Sequence, residues 1–443
     1  MSLRCSALAF PVIVASLAVA AEPPARTERV NDEALVRVNV RDFEDRVRDG
    51  DWSRAIQAAI DSVNRDNGFH AGGTVFFPAG TYRVDQSIVI GNDPAHWGLR
   101  VLGYGATLVG SKKLDKQPLL DPEPEEKDKG VPIFVLKDPA ETEGSGYCIE
   151  GLRLTRENER SGVGISVPWK EIPKSVTFRS LKIHNQKVGV HITHAWQFSF
   201  TDCLFRGNDT GMIIQSHGNN VGIVNCVFRR SHHHGLVIGP DRSSWASNGQ
   251  HISGSIFEAN KGYGILLLSS AQTVITGNYF EANGNSIGVM TPWQTTIDTN
   301  LFWGSYGYDW QMTPYSDSAH IVLANARSVQ LRNNQYNETW AWFRRSKEPE
   351  RWEYVSTKEV PKPIRRKDAD GPKRDADHEY RKRPCSVLIA GRLYGKGNVF
   401  DTLPVVHQDA EIQQKRVAAD TGLDYYAYDE QARTFVEKNL IDD

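Results

Sequence analysis

A short apolar run closing on an aromatic or aliphatic residue recurs through the middle of this chain, and its spacing constrains the fold more than any other feature. The closing residues are Ile183, Phe205, Phe228, Phe257, Phe280, Phe302, Tyr336 and Phe400, at intervals of 22, 23, 29, 23, 22, 34 and 64 residues. Internal periods of this size mark architectures in which one small unit stacks on the next. A base period of 22 to 23 residues fits one coil of a parallel β-helix, with three short strands and three turns. The longer intervals then hold insertions in turns.

Two further columns set the register. Gly189, Gly211, Gly235, Gly264 and Gly288 stand six to eight residues beyond the first five closing residues, each before a short and mostly apolar strand. Two residues before each closing residue the chain reads Leu181, Cys203, Cys226, Ser255, Asn278, Asn300, Asn334 and Asn398. Asn tolerates the left-handed conformation of a tight bend best among non-glycine residues, so the four asparagines are expected at such bends. Their amides are expected to hydrogen-bond from coil to coil, roughly 4.8 Å apart.

Composition agrees with a turn-dense β protein: the 443 residues include 37 Gly and only 4 Met. The formal charge of −2 gives no global reason to expect a nucleic-acid partner. The first twenty residues read as a signal peptide, with Arg4 at its start, an apolar run from Ala7 to Ala20 and a small-x-small site at Ala18-Val19-Ala20. Export to the periplasm or the extracellular space is therefore expected, and no stretch of the sequence reads as a membrane span. The remaining cysteines, Cys148, Cys203, Cys226 and Cys385, follow no zinc spacing. Cys203 and Cys226 share a column about 5 Å apart, which leaves a disulfide and two free thiols equally open.

Near the start, Asn39-Val40-Arg41-Asp42-Phe43, Asp49-Gly50-Asp51, Ala55-Ile56-Gln57-Ala58-Ala59-Ile60 and Gly72-Gly73-Thr74-Val75-Phe76-Phe77-Pro78-Ala79-Gly80-Thr81-Tyr82 follow in order. This run resembles the opening of the pectate-lyase-like superfamily, which includes rhamnogalacturonase- and epimerase-like domains and some phage tailspikes. The resemblance covers residues 38 to 340. It implies an all-β, right-handed, single-stranded parallel β-helix with an N-terminal capping helix, and it does not fix the reaction. Glu44-Asp45 and Asp51-Trp52-Ser53 depart from the superfamily's usual Gly-Ala and Asp-Asp-Thr. The cap itself is readable: Ser53 as N-cap, a helix from Arg54 to about Asn64, and an apolar stripe of Ala55, Ile56, Ala59, Ile60 and Val63.

The β-helix domain is expected over 38–405, with polar excursions at 111–130 and 344–384, the second a long solvated loop. Cys385 to Phe400 reads as a late coil. The tail, 406–443, has helical composition from Gln408 onward.

In the superfamily, ligands usually lie along a groove floored by one stacked strand. Here the strand after the glycine column is the expected floor. Alternation turns Val190, Met212, Leu236, Ile265 and Val289 inward and His191, Ile213, Val237, Leu266 and Met290 outward. An outer stripe so apolar needs a cover, either from a loop or tail or from a second copy of the chain.

Polar candidates gather at one end of that strand: His191, His194, His217, Asp241 and Arg242. His194, His217 and Asp241 fall near the strand end on successive coils, within reach of one ligand. A His, an Asp and an Arg can supply a base, a charge or metal anchor and an anion clamp. In β-elimination of a uronic acid, the base takes the proton beside the carboxylate, and Arg or a cation such as calcium stabilises the enolate. The competing reading is that polar residues at coil ends bond to turns.

Trp196, Trp245 and Trp293 lie in turns on the same side, followed by Trp303 and Trp310, and aromatic faces suit sugar rings. His232-His233-His234 suggests metal binding, although adjacent residues point different ways and at most two could share an ion. Glu258 and Glu281 share a column at coil spacing, as in a retaining glycosidase or in an ordinary surface charge ladder.

The reading that follows is a secreted polysaccharide-active protein, a carbohydrate lyase, epimerase or glycoside hydrolase. A non-catalytic carbohydrate-binding or cell-surface protein is the alternative, and so is a structural oligomer resembling a tailspike.

Overall fold

The computed structural model describes residues 37–63, 72–91, 96–119, 130–138, 145–168, 171–239, 247–289, 293–305, 320–324 and 327–346. Beyond these it describes the strand segments 351–354, 373–374, 378–384, 387–390, 393–396, 398–400, 405–406, 424–429 and 434–439. The signal-peptide expectation falls outside the described residues.

The chain is a right-handed parallel β-helix, the architecture the superfamily resemblance implies. Each coil lays down three strands, and each strand pairs in parallel with its counterpart one coil on. One coil runs through Ser199–Thr201 on the first face, Leu204–Arg206 on the second and Thr210–Asn219 on the third. The next runs through Gly222–Val224, Val227–Arg229 and Leu236–Ile238.

The closing residues form the core column. Ile183 pairs with Phe205, Phe205 with Phe228, Phe228 with Phe257, Phe257 with Phe280 and Phe280 with Phe302. All six are fully buried. From Phe205 to Phe302 the rings stack at centroid distances of 4.5, 4.9, 5.1 and 4.9 Å. That spacing matches the distance between hydrogen-bonded strands, so one backbone ladder aligns every ring.

The expected asparagine ladder is present, with one change of position. The left-handed bend falls on the residue before each ladder position: Ser180, Asp202, Asn225, Thr299 and Asn333 all have φ between 50° and 57°. The bend turns the following side chain inward, and there Asn278, Asn300 and Asn334 are buried. Asn278 donates its backbone N–H (2.9 Å) and Nδ2 (3.0 Å) to Asn300 Oδ1, and Asn300 does the same to Asn334 Oδ1 (3.0 and 3.0 Å). A second ladder stands between the second and third faces, where Gln186 and Ser231 donate backbone N–H groups to Asn208 Oδ1 and Asn260 Oδ1, and Asn260 donates to Asn283 Oδ1.

The glycine column needs a correction at its far end. Gly189, Gly211, Gly235 and Gly264 lie in register, but the next position is Ser286, because Ile265 pairs with Ile287. A Cβ at Gly189 would stand 2.3 Å from the Gly211 carbonyl oxygen, and one at Gly211 2.4 Å from that of Gly235. The column is glycine because the next coil's backbone occupies the space of a side chain. Gly288 belongs instead to the outward column, opposite Leu266, and Met290 lies outside the described residues.

The helix Ser53–Ser62 caps the open end. Ser53 is its first residue rather than its N-cap, and the Asp51 carboxylate accepts the Ser53 N–H at 2.9 Å. Ala55, Ile56, Ala59 and Ile60 are buried as the stripe requires. Gln57 closes a strand edge directly: its Nε2 donates to the Val89 carbonyl (2.9 Å) and its Oε1 accepts the Val89 N–H (2.8 Å). A side-chain amide thus takes the place of a neighbouring strand.

Two polar segments fold differently from expectation. Around the expected loop at 344–384, Gln335–Ser346 pairs antiparallel with Arg351–Tyr354 and with His378–Pro384. The tail, read as helical, contains the antiparallel strands Asp424–Asp429 and Thr434–Asn439. Their Tyr-Tyr-Ala-Tyr and Thr-Phe-Val runs favour strand over helix. The late coil is present, with Val387–Ala390 and Leu393–Lys396 pairing with Ile321–Ala324 and Arg327–Arg332.

Candidate functional site

The expected groove floor lies on the third face, and its outward column is covered. His191, Ile213, Val237 and Leu266 are only 1, 7, 5 and 7% exposed. Such residues offer little apolar surface to a second copy of the chain. They also place His191 out of reach as a ligand-facing base. Its Nε2 lies 2.6 Å from Gln215 Oε1, beneath the surface.

The end of that strand is different. Ile192 pairs with Ile214, but His194 pairs with His217, so the later coil carries one extra residue there. This bulge re-aims the strand ends beyond it. His194 is half-buried, and its Cα partner is His217, as the coil period requires. Asp241 and Arg242, expected on the next coil, lie outside the described residues, as do Trp245 and Trp310.

Two residues past His194 a continuous column forms where the third face turns into the first. Lys174 bridges to Trp196, Trp196 pairs with Asn219, and Asn219 with Asn248. Asn248 pairs with Ala271, Ala271 with Trp293, and Trp293 with Arg327. Trp196 is 49% exposed, and Lys174 Nζ sits 6.0 Å from its ring centroid. Four coil steps separate Trp196 from Trp293, roughly 19 Å at strand spacing. Two tryptophan positions thus bracket a strip carrying Asn219, Asn248 and Ala271, with a basic residue beyond each end. Lys174, Asn219, Asn248 and Arg327 were missed at the sequence level. The signal was available: five members of the column, Lys174, Trp196, Asn219, Asn248 and Trp293, stand three residues before Thr177, Ser199, Gly222, His251 and Thr296, first-face positions joined in register.

The triple histidine does not come together as a ligand set. His234 Nδ1 accepts the Tyr263 N–H at 3.0 Å, and burial together with His233 lowers its pKa to about 4. His232 Nδ1 faces two cations, Arg160 Nη1 at 3.1 Å and Lys261 Nζ at 3.0 Å. Burial and these charges lower its pKa as well. Glu258 and Glu281 are register neighbours on the second face. Arg229 holds Glu258 at 3.0 Å, and the Tyr279 hydroxyl donates to Glu281 at 3.1 Å, so both sit in a surface ladder. Cys203 and Cys226 are free, buried thiols, each donating to a backbone carbonyl.

Residues 145–355 match a family described as periplasmic copper-binding protein (NosD). The side chains test that description. Among the described residues no three His, Cys, Asp or Glu side chains gather as a metal-binding group. Within the triple histidine, His232 turns Nδ1 toward Arg160 and Lys261, whose positive charge disfavours a copper ion at that nitrogen. The described residues therefore do not fit a copper site.

Among solved structures, the chain is similar to the enzymatically active domain of tailspike protein 2 from bacteriophage CBA120 at 12% identity and a TM-score of 0.48, covering 68% of this chain and 42% of that one. It is similar to a family 28 exopolygalacturonase of Yersinia enterocolitica at 13% identity and a TM-score of 0.44, covering 69% and 72%. It is also similar to PfbA, a surface adhesin of Streptococcus pneumoniae, at 14% identity and a TM-score of 0.38, covering 68% and 84%. The chain thus spans about two fifths of the tailspike domain. No curated protein sequence matches it. No helix among the described residues is long and apolar enough to cross a membrane.

Proposed function

We propose that this chain is an exported polysaccharide-active protein and that its glycan lies along the solenoid axis over the column from Trp196 to Trp293. The observation that carries the reading is the register itself. It sets two tryptophans on one line four coils apart, with Asn219 and Asn248 between them. Aromatic faces bury the C–H face of a sugar ring, and side-chain amides bond to its hydroxyls. A rigid ladder holds these groups at fixed spacing, so little freedom is lost on binding.

Chemistry at this edge would fall to His194 and His217, with Asp241 and Arg242 from the next coil. In a lyase or epimerase one histidine removes the proton beside a uronate carboxylate while Arg242 or calcium stabilises the enolate. Burial of His191 favours a second reading, binding without turnover, because that histidine cannot reach a glycan.

The test is to incubate the mature protein with uronic-acid and neutral polysaccharides, with and without calcium. Ultraviolet-absorbing unsaturated ends identify a lyase, and new reducing ends alone identify a hydrolase. Binding without product identifies the second reading. Failure of Trp196→Ala to weaken glycan binding would discard the column as the site. Turnover unchanged in His217→Ala would discard the histidine pair.

A further inference from the structure

The second face carries a feature that the edge column does not use. A groove of about 600 Å³ runs over five successive coils, lined by Thr107, Arg153, Lys182, His184, Arg206 and Arg230 among others. Thr107 pairs with Arg153, Arg153 with Lys182, and His184 with Arg206, so the cationic side chains climb the solenoid at strand spacing. Arg153, Lys182, Arg206 and Arg230 are all exposed. Among the described residues no carboxylate lines the groove, and none of the four cations has an ion-pair partner.

His184 also lines the groove, with its Nε2 buried beneath the surface and without a hydrogen-bond partner among the described residues. Burial first, and then Arg153, Arg206 and Lys182, lower the His184 pKa to about 4, so its imidazole is neutral and the positive charge of the groove comes from the Arg and Lys side chains. At the groove's edge, Tyr104 is 57% exposed, and its ring lies over Gly151. A Cβ at Gly151, where φ is 77°, would meet that ring at 2.8 Å, so only glycine admits it. The Tyr104 hydroxyl bonds to Glu150 Oε1 at 2.5 Å, and Glu150 is also near Arg100, so that carboxylate is already engaged.

Like charges at neighbouring positions of a sheet repel. A groove that keeps four of them without counter-charge, beside an open aromatic face, is relieved by an anion that also has a ring to stack. We propose that this groove binds a carboxylate- or sulfate-bearing polysaccharide laid across the coils, with Arg153, Lys182, Arg206 and Arg230 on its acid groups and Tyr104 against a sugar ring. The site is separate from the edge column and stands whether or not that column holds a glycan.

The experiment measures binding of the full mature chain to polygalacturonate, chondroitin sulfate, dextran and a single-stranded oligothymidine at about 0.05 M salt, where screening is weak. The acidic glycans are expected to bind and dextran not to compete. In Lys182→Ala/Arg206→Ala, Kd for the acidic glycans should rise roughly tenfold or more. Both side chains are exposed, so the variant keeps its fold. Arg37→Ala/Arg54→Ala removes the same charge at exposed positions that do not line the groove and should leave Kd nearly unchanged. The proposal is overturned if neither acidic glycan binds, if the two double variants behave alike, or if oligothymidine binds as tightly as the glycans.

Discussion

Replacing Asn300 by Ala tests whether the ladder holds the coils together. Asn300 is 1% exposed and makes four side-chain hydrogen bonds. Its Oδ1 accepts from the Asn278 N–H and Nδ2, and its Nδ2 donates to the Ile275 carbonyl and Asn334 Oδ1, all at 2.9 to 3.0 Å. Asn278 Nδ2 keeps its bond to Ile252 O, and Asn334 Oδ1 keeps the Asn300 N–H. The Asn278 N–H loses this partner outright, and the Ile275 carbonyl loses one. A buried group left unmet costs about 1–3 kcal/mol, so the substitution should cost about 3–5 kcal/mol. That is a large part of the roughly 5–15 kcal/mol that holds a typical domain folded. Urea unfolding followed by tryptophan fluorescence gives the difference. Asn300→Asp keeps the shape but sets an oxygen against the Ile275 carbonyl and Asn334 Oδ1. It should be at least as damaging at neutral pH and recover as acid restores a proton to donate. Cys226→Ala, in the same column, removes only weak thiol bonds of 3.4 and 3.5 Å and should cost about 1 kcal/mol. A loss below about 1 kcal/mol for Asn300→Ala, or equal losses at both positions, would refute the ladder as a stabilising device.

Gly211→Ala should cost about 3 kcal/mol, because its Cβ meets the Gly235 carbonyl at 2.4 Å, whereas Gly277→Ala, with nothing within 4 Å, should show only about 1 kcal/mol of left-handed strain (φ 62°). Thermal melts of the two variants check the order. Neutral His234 contributes stability above its unfolded pKa of 6.5, and that stability should be lost as pH falls towards about 4, by up to roughly 3 kcal/mol. His234→Gln should flatten this part of the pH profile of the urea midpoint, and an unchanged slope would count against the assignment. The Cys226 thiol, its pKa pushed up by the neighbouring Cys203 thiol and by burial, should resist thiol reagents until the chain unfolds. Rapid labelling of the native protein would contradict its burial.

The coil and its register were legible because stacking repeats one environment every turn. Phe205, Phe228, Phe257, Phe280 and Phe302 fill equivalent space, so the sequence repeats what the space demands. The bends were placed one residue late, since Asn278 and Asn300 face inward and the left-handed residue before them varies among Asn, Asp, Ser, Thr and Gly. The register slipped at Gly288 because Ser286 occupies the column there. The second ladder, Asn208, Asn260 and Asn283, stood at a fixed offset from the phenylalanines but was masked by the glutamates beside it. The candidate site was legible only in part. Alternation gives only the direction of a side chain. It cannot say that the outward face at His191, Ile213 and Leu266 is covered.

The same column logic bears on the second face. His184, Arg206, Arg229, Glu258 and Glu281 follow one another in register. Placed side by side, such residues could be an ordinary ladder of surface ion pairs, and at one step they are: Arg229 holds Glu258 at 3.0 Å. A ladder built for stability would repeat that pairing, because each exposed pair contributes less than about 1 kcal/mol and only alternation accumulates it. Here the signs are segregated. Arg206 and the neutral His184 lie on one side of the Arg229–Glu258 pair and Glu281 on the other, and the groove opens on the side of Arg206, with Lys182 and Arg153 beyond it. Segregation gives up pairing energy along the strand and concentrates potential in a concave place, where field lines focus on an incoming anion. The arrangement is therefore better explained by a ligand than by the stability of the coil, and salt should weaken glycan binding while leaving the urea midpoint of the free protein nearly unmoved.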